Sequence, residues 1–177
     1  MPLRKSSKKS LLAERWILNA SPVIALARVG QLELLTLLPA QIVIPHPVAD
    51  ELRNAPENDP ARLAVENGMF RLVRTAHPPP EILAWDLGKG ENSVLTYAYT
   101  HPGWISILDD NAARRCARSL YLTLSGTLSI VILARQYGLI ESASQVLRAL
   151  LDVDFRLDDR IIRDALAQTV GEVWVSK

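Results

Sequence analysis

Short apolar runs alternate along the chain with longer stretches whose apolar residues recur at helical spacing. The runs are Trp16-Ile17-Leu18, which ends at Asn19, then Gln41-Ile42-Val43-Ile44, Phe70-Arg71-Leu72-Val73, Trp104 to Leu108 and Tyr121 to Leu124. Each is too short for a stable helix and carries apolar, β-branched or aromatic residues, so each predicts a strand. After the first, Ser21-Pro22 reads as N-cap and first helical residue, Val23, Ile24, Leu26 and Ala27 supply a helix face, and Gly30 ends it. Gln31 to Leu38, Val48 to Leu52, Ala61 to Asn67, Glu91 to Ala98, Ala113 to Leu120 and Leu128 to Tyr137 predict further helices. Ser142 to Leu151 and Asp158 to Gln168 read as closing helices, and Val173-Trp174-Val175 as a last short strand. Apolar strands alternating with helices predict a parallel sheet covered on both faces, a three-layer α/β/α sandwich.

At 177 residues the chain suits one domain with a sizeable core. Residues 1–15 differ in composition, with Arg4, Lys5, Lys8 and Lys9 set among serines, and read as a flexible basic arm ahead of a domain over 16–177. Leu11, Leu12 and Ala13 are cut off by Glu14 and Arg15, too short a run for a signal peptide. No charge-free apolar stretch reaches the roughly 18 residues of a membrane span. With 20 Lys plus Arg against 19 Asp plus Glu, overall charge makes no case for nucleic acid, and any such claim rests on local patches. The sole cysteine, Cys116, allows no internal disulfide, and no His/Cys cluster has zinc spacing, which fits a reducing cytoplasm.

Polar groups that follow the apolar runs bring in the chemistry. Ile105, Ile107 and Leu108 give way abruptly to Asp109 and Asp110, which open an alanine-rich helical pattern with Asp110 at the N-cap position. Alone, that junction is a helix cap and a solvated neighbour, but the chain repeats the arrangement. On the helix after the second strand, a step of about 100° per residue puts Leu52 about 40° from Val48 and Glu51 about −60° from it, while Asp50 falls near 200°. Glu51 thus borders the buried face. After Gly88-Lys89-Gly90, the same geometry puts Glu91 about 60° from Val94, amid an apolar face with Ala98 at about 40°. An exposed acid in a first helical turn gains about 0.3–1 kcal/mol from the macrodipole. An unpaired charge aimed at a core is costly instead, so Glu91 reads as functional. Gly88 and Gly90 lack the spacing and the Lys-Ser/Thr of a phosphate loop.

In a parallel sheet, ligands bind beyond the carboxyl ends of the strands. Asn19, Glu51, Glu91, Asp109, Asp110 and Thr127 all fall on or near that edge. Carboxylates gathered there repel by about 4 kcal/mol per pair at about 4 Å and an effective dielectric of about 20. Either a cation compensates them or their pKa values rise. An all-oxygen set suits Mg²⁺ or Mn²⁺, ions that activate water for attack on phosphate and stabilise the leaving oxygen.

The ordered set Asn19-Ala-Ser-Pro-Val-Ile-Ala-Leu-Ala, Ile44-Pro-x-x-Val-x-x-Glu51-Leu, Gly90-Glu91, Leu108-Asp-Asp-x-x-Ala-Arg and Gly126-Thr127-Leu resembles the PIN-domain superfamily. More closely, it resembles a prokaryotic PIN-like branch grouped with the toxin ribonucleases of type II toxin-antitoxin systems. The resemblance runs from Trp16 to Glu172. It implies a five-stranded, mainly parallel sheet, a nuclease site of three or four acids holding Mg²⁺ or Mn²⁺, and RNA as substrate. It also implies a homodimer and a small cognate antitoxin as partner. Carried across, Glu51, Glu91 and Asp110 match the acidic positions, Asp109 is the alternative to Asp110, and Ser21 and Thr127 sit where hydroxyls line the site. Asn19 departs from the aspartate usual at the end of the first strand; it offers a neutral carbonyl ligand or orients water, and cannot act as a base. Lys89, Arg114, Arg115 and the basic arm are the groups for phosphates of single-stranded RNA. The expectation is a metal-dependent endoribonuclease, the toxin of such a pair. The alternative, which Asn19 favours, is a PIN-like module that binds RNA or protein without cleaving it.

Overall fold

The computed structural model describes residues 11–175. Most of the basic arm read over residues 1–15 therefore lies outside the described residues, and Arg15, its last residue, already belongs to the first strand. The strands are β1 (Arg15–Leu18), β2 (Gln41–Pro45), β3 (Arg71–Val73), β4 (Trp104–Ile107) and β5 (Leu124–Ser125). The helices are α1 (Ala20–Arg28), α2 (Leu34–Leu37), α3 (His46–Arg53), α4 (Pro60–Glu66), α5 (Pro80–Leu83), α6 (Lys89–Thr100), α7 (Asn111–Ser119), α8 (Thr127–Gln136), α9 (Ala143–Asp152) and α10 (Asp159–Thr169). Side chains of Asp59, Asp110, Ser142 and Asp158 accept from the first backbone N–H groups of α4, α7, α9 and α10, which fixes where those helices begin. Among the described residues no helix is long and apolar enough to cross a membrane.

The strands form a parallel sheet in the order β3-β2-β1-β4-β5, with Leu18 opposite Ile107 and Ile107 opposite Ser125. Ile17, Leu18, Ile44 and Ile107 are wholly buried in it, as apolar residues of central parallel strands must be. From β1 the chain steps out to β2 and β3, then crosses back to β4 on the other side of β1. Right-handed crossovers put α1 to α4 on one face and α5 to α7 on the other. Accordingly, α6 packs across β2, β1 and β4, while α1, α3 and α4 pack on one another. The reversal of direction leaves a crevice at the carboxyl ends of β1 and β4, the place where such sheets take ligands.

Beyond shifts of one residue at strand ends, two expected strands differ from the sequence expectation. The fifth strand is Leu124–Ser125 rather than Tyr121 to Leu124, because the chain turns out of α7 first: Tyr121 has φ +56° and is 96% exposed. Val173 to Val175 is not a strand. This tail is instead held by side chains, with the Trp174 Nε1 donating to Asp159 at 3.1 Å and the Arg148 guanidinium 4.6 Å from the Trp174 ring.

Candidate active site

Asn19 is the residue at which β1 gives way to α1. Asparagine at such a position ordinarily caps the helix with its side chain, but this one makes no cap bond. Its Nδ2 donates instead to Glu91 Oε1 at 2.9 Å, and its backbone N–H donates to the Ile107 carbonyl at 3.2 Å. The residue is 1% exposed, and its Oδ1 is buried without a hydrogen-bond partner among the described residues. Leaving a buried acceptor unsatisfied costs about 1–3 kcal/mol. A ligand at that atom removes the cost.

Glu51 on α3 and Glu91 in the first turn of α6 complete the group. Gly90 explains how they share a space: a Cβ on it would stand 3.0 Å from both Asn19 Oδ1 and Glu51 Oε2. Partial burial of the Glu51 carboxyl, and after that the charge of Glu91, raise the Glu51 pKa from its ordinary value. Glu51 and Glu91 open onto a cleft whose rim also carries Asp50, Asn54 and Lys89, with Asn19 buried behind them.

The remaining expected site residues lie elsewhere. Asp109 turns the other way along the edge: its Oδ1 accepts from the Thr127 N–H at 2.8 Å and its Oδ2 from the Thr127 hydroxyl at 2.6 Å. Burial raises the Asp109 pKa, opposed by those two bonds and by the Arg114 charge. Both oxygens are committed to tying the end of β4 to the start of α8. Asp110 is exposed and accepts from the Ala113 N–H at 2.8 Å as the cap of α7. Arg114 donates through Nη1 to the carbonyls of Leu108 at 2.7 Å and Ser125 at 3.2 Å, strapping β4 to β5. Arg115 is exposed on α7, and Ser21 lines a separate depression with Ile24 and Phe155. Among the described residues, no three Asp, Glu, His or Cys side chains stand together as a metal cluster. The third donor beside Glu51 and Glu91 is the Asn19 amide oxygen. The sequence reading missed the role of Gly90, although a glycine in a first helical turn directly before Glu91 was a visible sign of close approach.

This donor set fits a hard divalent ion. Mg²⁺ characteristically binds through one or two carboxylates, with waters and substrate phosphate completing the shell. The orphaned Oδ1 of Asn19 and the gap kept by Gly90 are what such an ion requires. Alanine gains roughly 1 kcal/mol of helix propensity over glycine. Gly90→Ala is therefore expected to keep or raise the thermal midpoint while weakening Mn²⁺ binding about tenfold, a loss of about 1.4 kcal/mol by titration calorimetry. Unchanged affinity would place the ion elsewhere.

A family model described as PIN domain matches residues 15–172. The chain belongs to the PIN-domain family, whose fold is nuclease-like and whose members generally depend on divalent metal. No curated protein matches it.

Proposed function

We propose that the protein is a metal-dependent endoribonuclease that cuts single-stranded RNA in the cytoplasm, as the toxin of a type II toxin-antitoxin pair. The observation that carries this reading is the buried, unpartnered Oδ1 of Asn19 beside Glu51 and Glu91, at the switch point of a PIN domain. Mg²⁺ or Mn²⁺, when bound, would neutralise charge on the phosphodiester and activate water for in-line attack. Glu51, Glu91 and Asn19 Oδ1 would hold it. The Asn19 amide fixes Glu91 in one orientation through its 2.9 Å bond. Glu51 sits on the cleft side, and the burial and Glu91 charge that raise its pKa without metal are what a bound cation would offset. Lys89 on the rim supplies a charge for the RNA backbone. Homodimerisation and a small antitoxin are the partners this reading carries with it.

A second reading, a PIN-like module without catalysis, draws on the same Asn19, whose amide partly satisfies Glu91 without a cation. Cleavage of single-stranded RNA decides between them. Glu51→Gln and Glu91→Gln are each expected to lower Mn²⁺-dependent cleavage about a hundredfold or more, with circular dichroism unchanged. Cleavage that survives EDTA or the double variant would overturn the assignment.

A further inference from the structure

A second cavity of about 330 Å³ opens where β4 and β5 end, bounded by α7, the start of α8 and the segment leading into α10. Arg114, Arg118, Arg156, Phe155, Leu157 and Ile161 give it its character. Its acids are engaged: Asp109 bonds to Thr127, and Asp158 caps α10 through the Arg160 N–H at 2.7 Å. Arg114 is held by the carbonyls of Leu108 and Ser125. Arg118 and Arg156 are exposed, and neither is in an ion pair among the described residues. Arg114 and Arg118 also stand one turn apart on α7, a spacing at which like charges destabilise a helix. The proximity of Arg118 is one reason the Arg114 pKa is lowered, after burial. An anion seated between them relieves that repulsion. Phe155 and Ile161 add an apolar wall, which a lone inorganic anion has no use for but a nucleobase does.

We propose that this cavity is a nucleotide subsite: Arg118 and Arg156 bind a phosphate of the RNA chain, and Phe155 carries the adjoining base. Identification of the ligand as RNA rests on the endoribonuclease reading. Location supports it. Ile107 pairs with Leu18 on one side and Ser125 on the other, so the ends of β1 and β5 are two strand spacings, roughly 10 Å, apart. The subsite thus lies along the same carboxyl edge of the sheet as Asn19, which bonds to Glu91. The subsite would set the register of cleavage, and through stacking it would tolerate any base.

The test uses the full chain in EDTA, so that binding is separated from cleavage. Anisotropy of a fluorescein-labelled octauridylate is followed over a salt series for the wild type and the Arg118→Gln/Arg156→Gln double variant, with uridine monophosphate as a second probe. Each neutralised phosphate contributes about 0.7 to the log–log salt slope for a single strand. The double variant is therefore expected to bind at least about tenfold more weakly at low salt, with a slope shallower by about 0.7. Phe155→Ala should weaken binding and leave the slope in place. Equal affinity and slope in the double variant would overturn the subsite while the endoribonuclease reading stands. Arginine-dependent binding of uridine monophosphate without binding of the oligonucleotide would support the subsite and remove the RNA reading. Absence of binding of either probe to the wild type would overturn the subsite.

Discussion

Asn19→Asp is expected to destabilise the metal-free protein by about 3 kcal/mol and to tighten Mn²⁺ binding at least tenfold. Without metal, the substitution replaces a 2.9 Å N–H···O bond to Glu91 with a contact between two oxygens. A hydrogen bond to a charged group contributes about 1.5–3 kcal/mol, and a pair of carboxylates at about 4 Å repels by about 4 kcal/mol at an effective dielectric of about 20. Uptake of a proton by one of the acids limits the sum, which is why the expected cost is nearer the lower figure. With metal, the same added charge faces a cation, and the sign reverses. For a domain of this size 1 kcal/mol corresponds to about 2–4 °C, so the thermal midpoint in EDTA should fall by roughly 6–12 °C. Saturating Mn²⁺ should then raise it by more than it raises the wild type, since stabilisation by a ligand grows with the logarithm of its affinity for the folded state. If neither the EDTA midpoint nor the Mn²⁺ response moves, the Asn19 side chain does not face Glu91 and the site is misplaced. Any gain of RNA cleavage in this variant, from a wild type that binds RNA without cutting it, would identify Asn19 as what keeps the protein inert.

Much of this was legible in the sequence, for identifiable reasons. The central strands could be read because burial on both faces demands continuous apolar residues, as at Ile17-Leu18 and Ile107-Leu108. Glu51 and Glu91 could be placed because a helix projects its side chains with a fixed period, and the structure brings both to the Gly90 gap with Asn19. Asp109 and Asp110 were harder. They lie in the turn between β4 and α7, outside the period of either element, and a tertiary partner decides between them: Thr127 takes Asp109, leaving Asp110 to the helix cap. Arg114 read as a cation for phosphate because it lies off the apolar face of its helix. Its carbonyl partner at Ser125 is known only once β5 is seen to end there rather than at Leu124. Arg156 was invisible as a neighbour of Arg118, since the closing segment that brings them to one cavity follows two intervening helices.

The closing segment carries the other large effect, a pH dependence of stability that belongs to Glu172. Burial raises this carboxyl, but the backbone N–H groups of Ser144 and Ala143 and the nearby serine hydroxyls more than offset it, and the pKa is pushed down to about 2 from 4.5. The N–H groups donate at 2.8 Å and 3.0 Å, and Arg135 Nε donates at 3.0 Å. Glu172 thus caps α9 from the far end of the chain while pinning α8. Since the folded pKa lies below the unfolded one, the ionised form is favoured by folding. The contribution is fully present above about pH 5, fades as pH falls through 4.5, and is nearly lost by about pH 2. The full shift corresponds to about 3 kcal/mol. With 16% of the side chain exposed and solvent screening the charge, about 2 kcal/mol is the expected share. Glutamine mimics the protonated acid, and turns an amide N–H toward donors that need an acceptor. Glu172→Gln is therefore expected to be about 2 kcal/mol less stable than the wild type in urea at pH 7, with the gap roughly halved near pH 3. The raised pKa of Asp109 works in the opposite direction, but it is common to both proteins and cancels in the difference. A gap that stays constant from pH 7 to pH 3 would mean that the charge of Glu172 is not what holds the closing segment, leaving that role to Trp174 with its bond to Asp159 and its contact with Arg148.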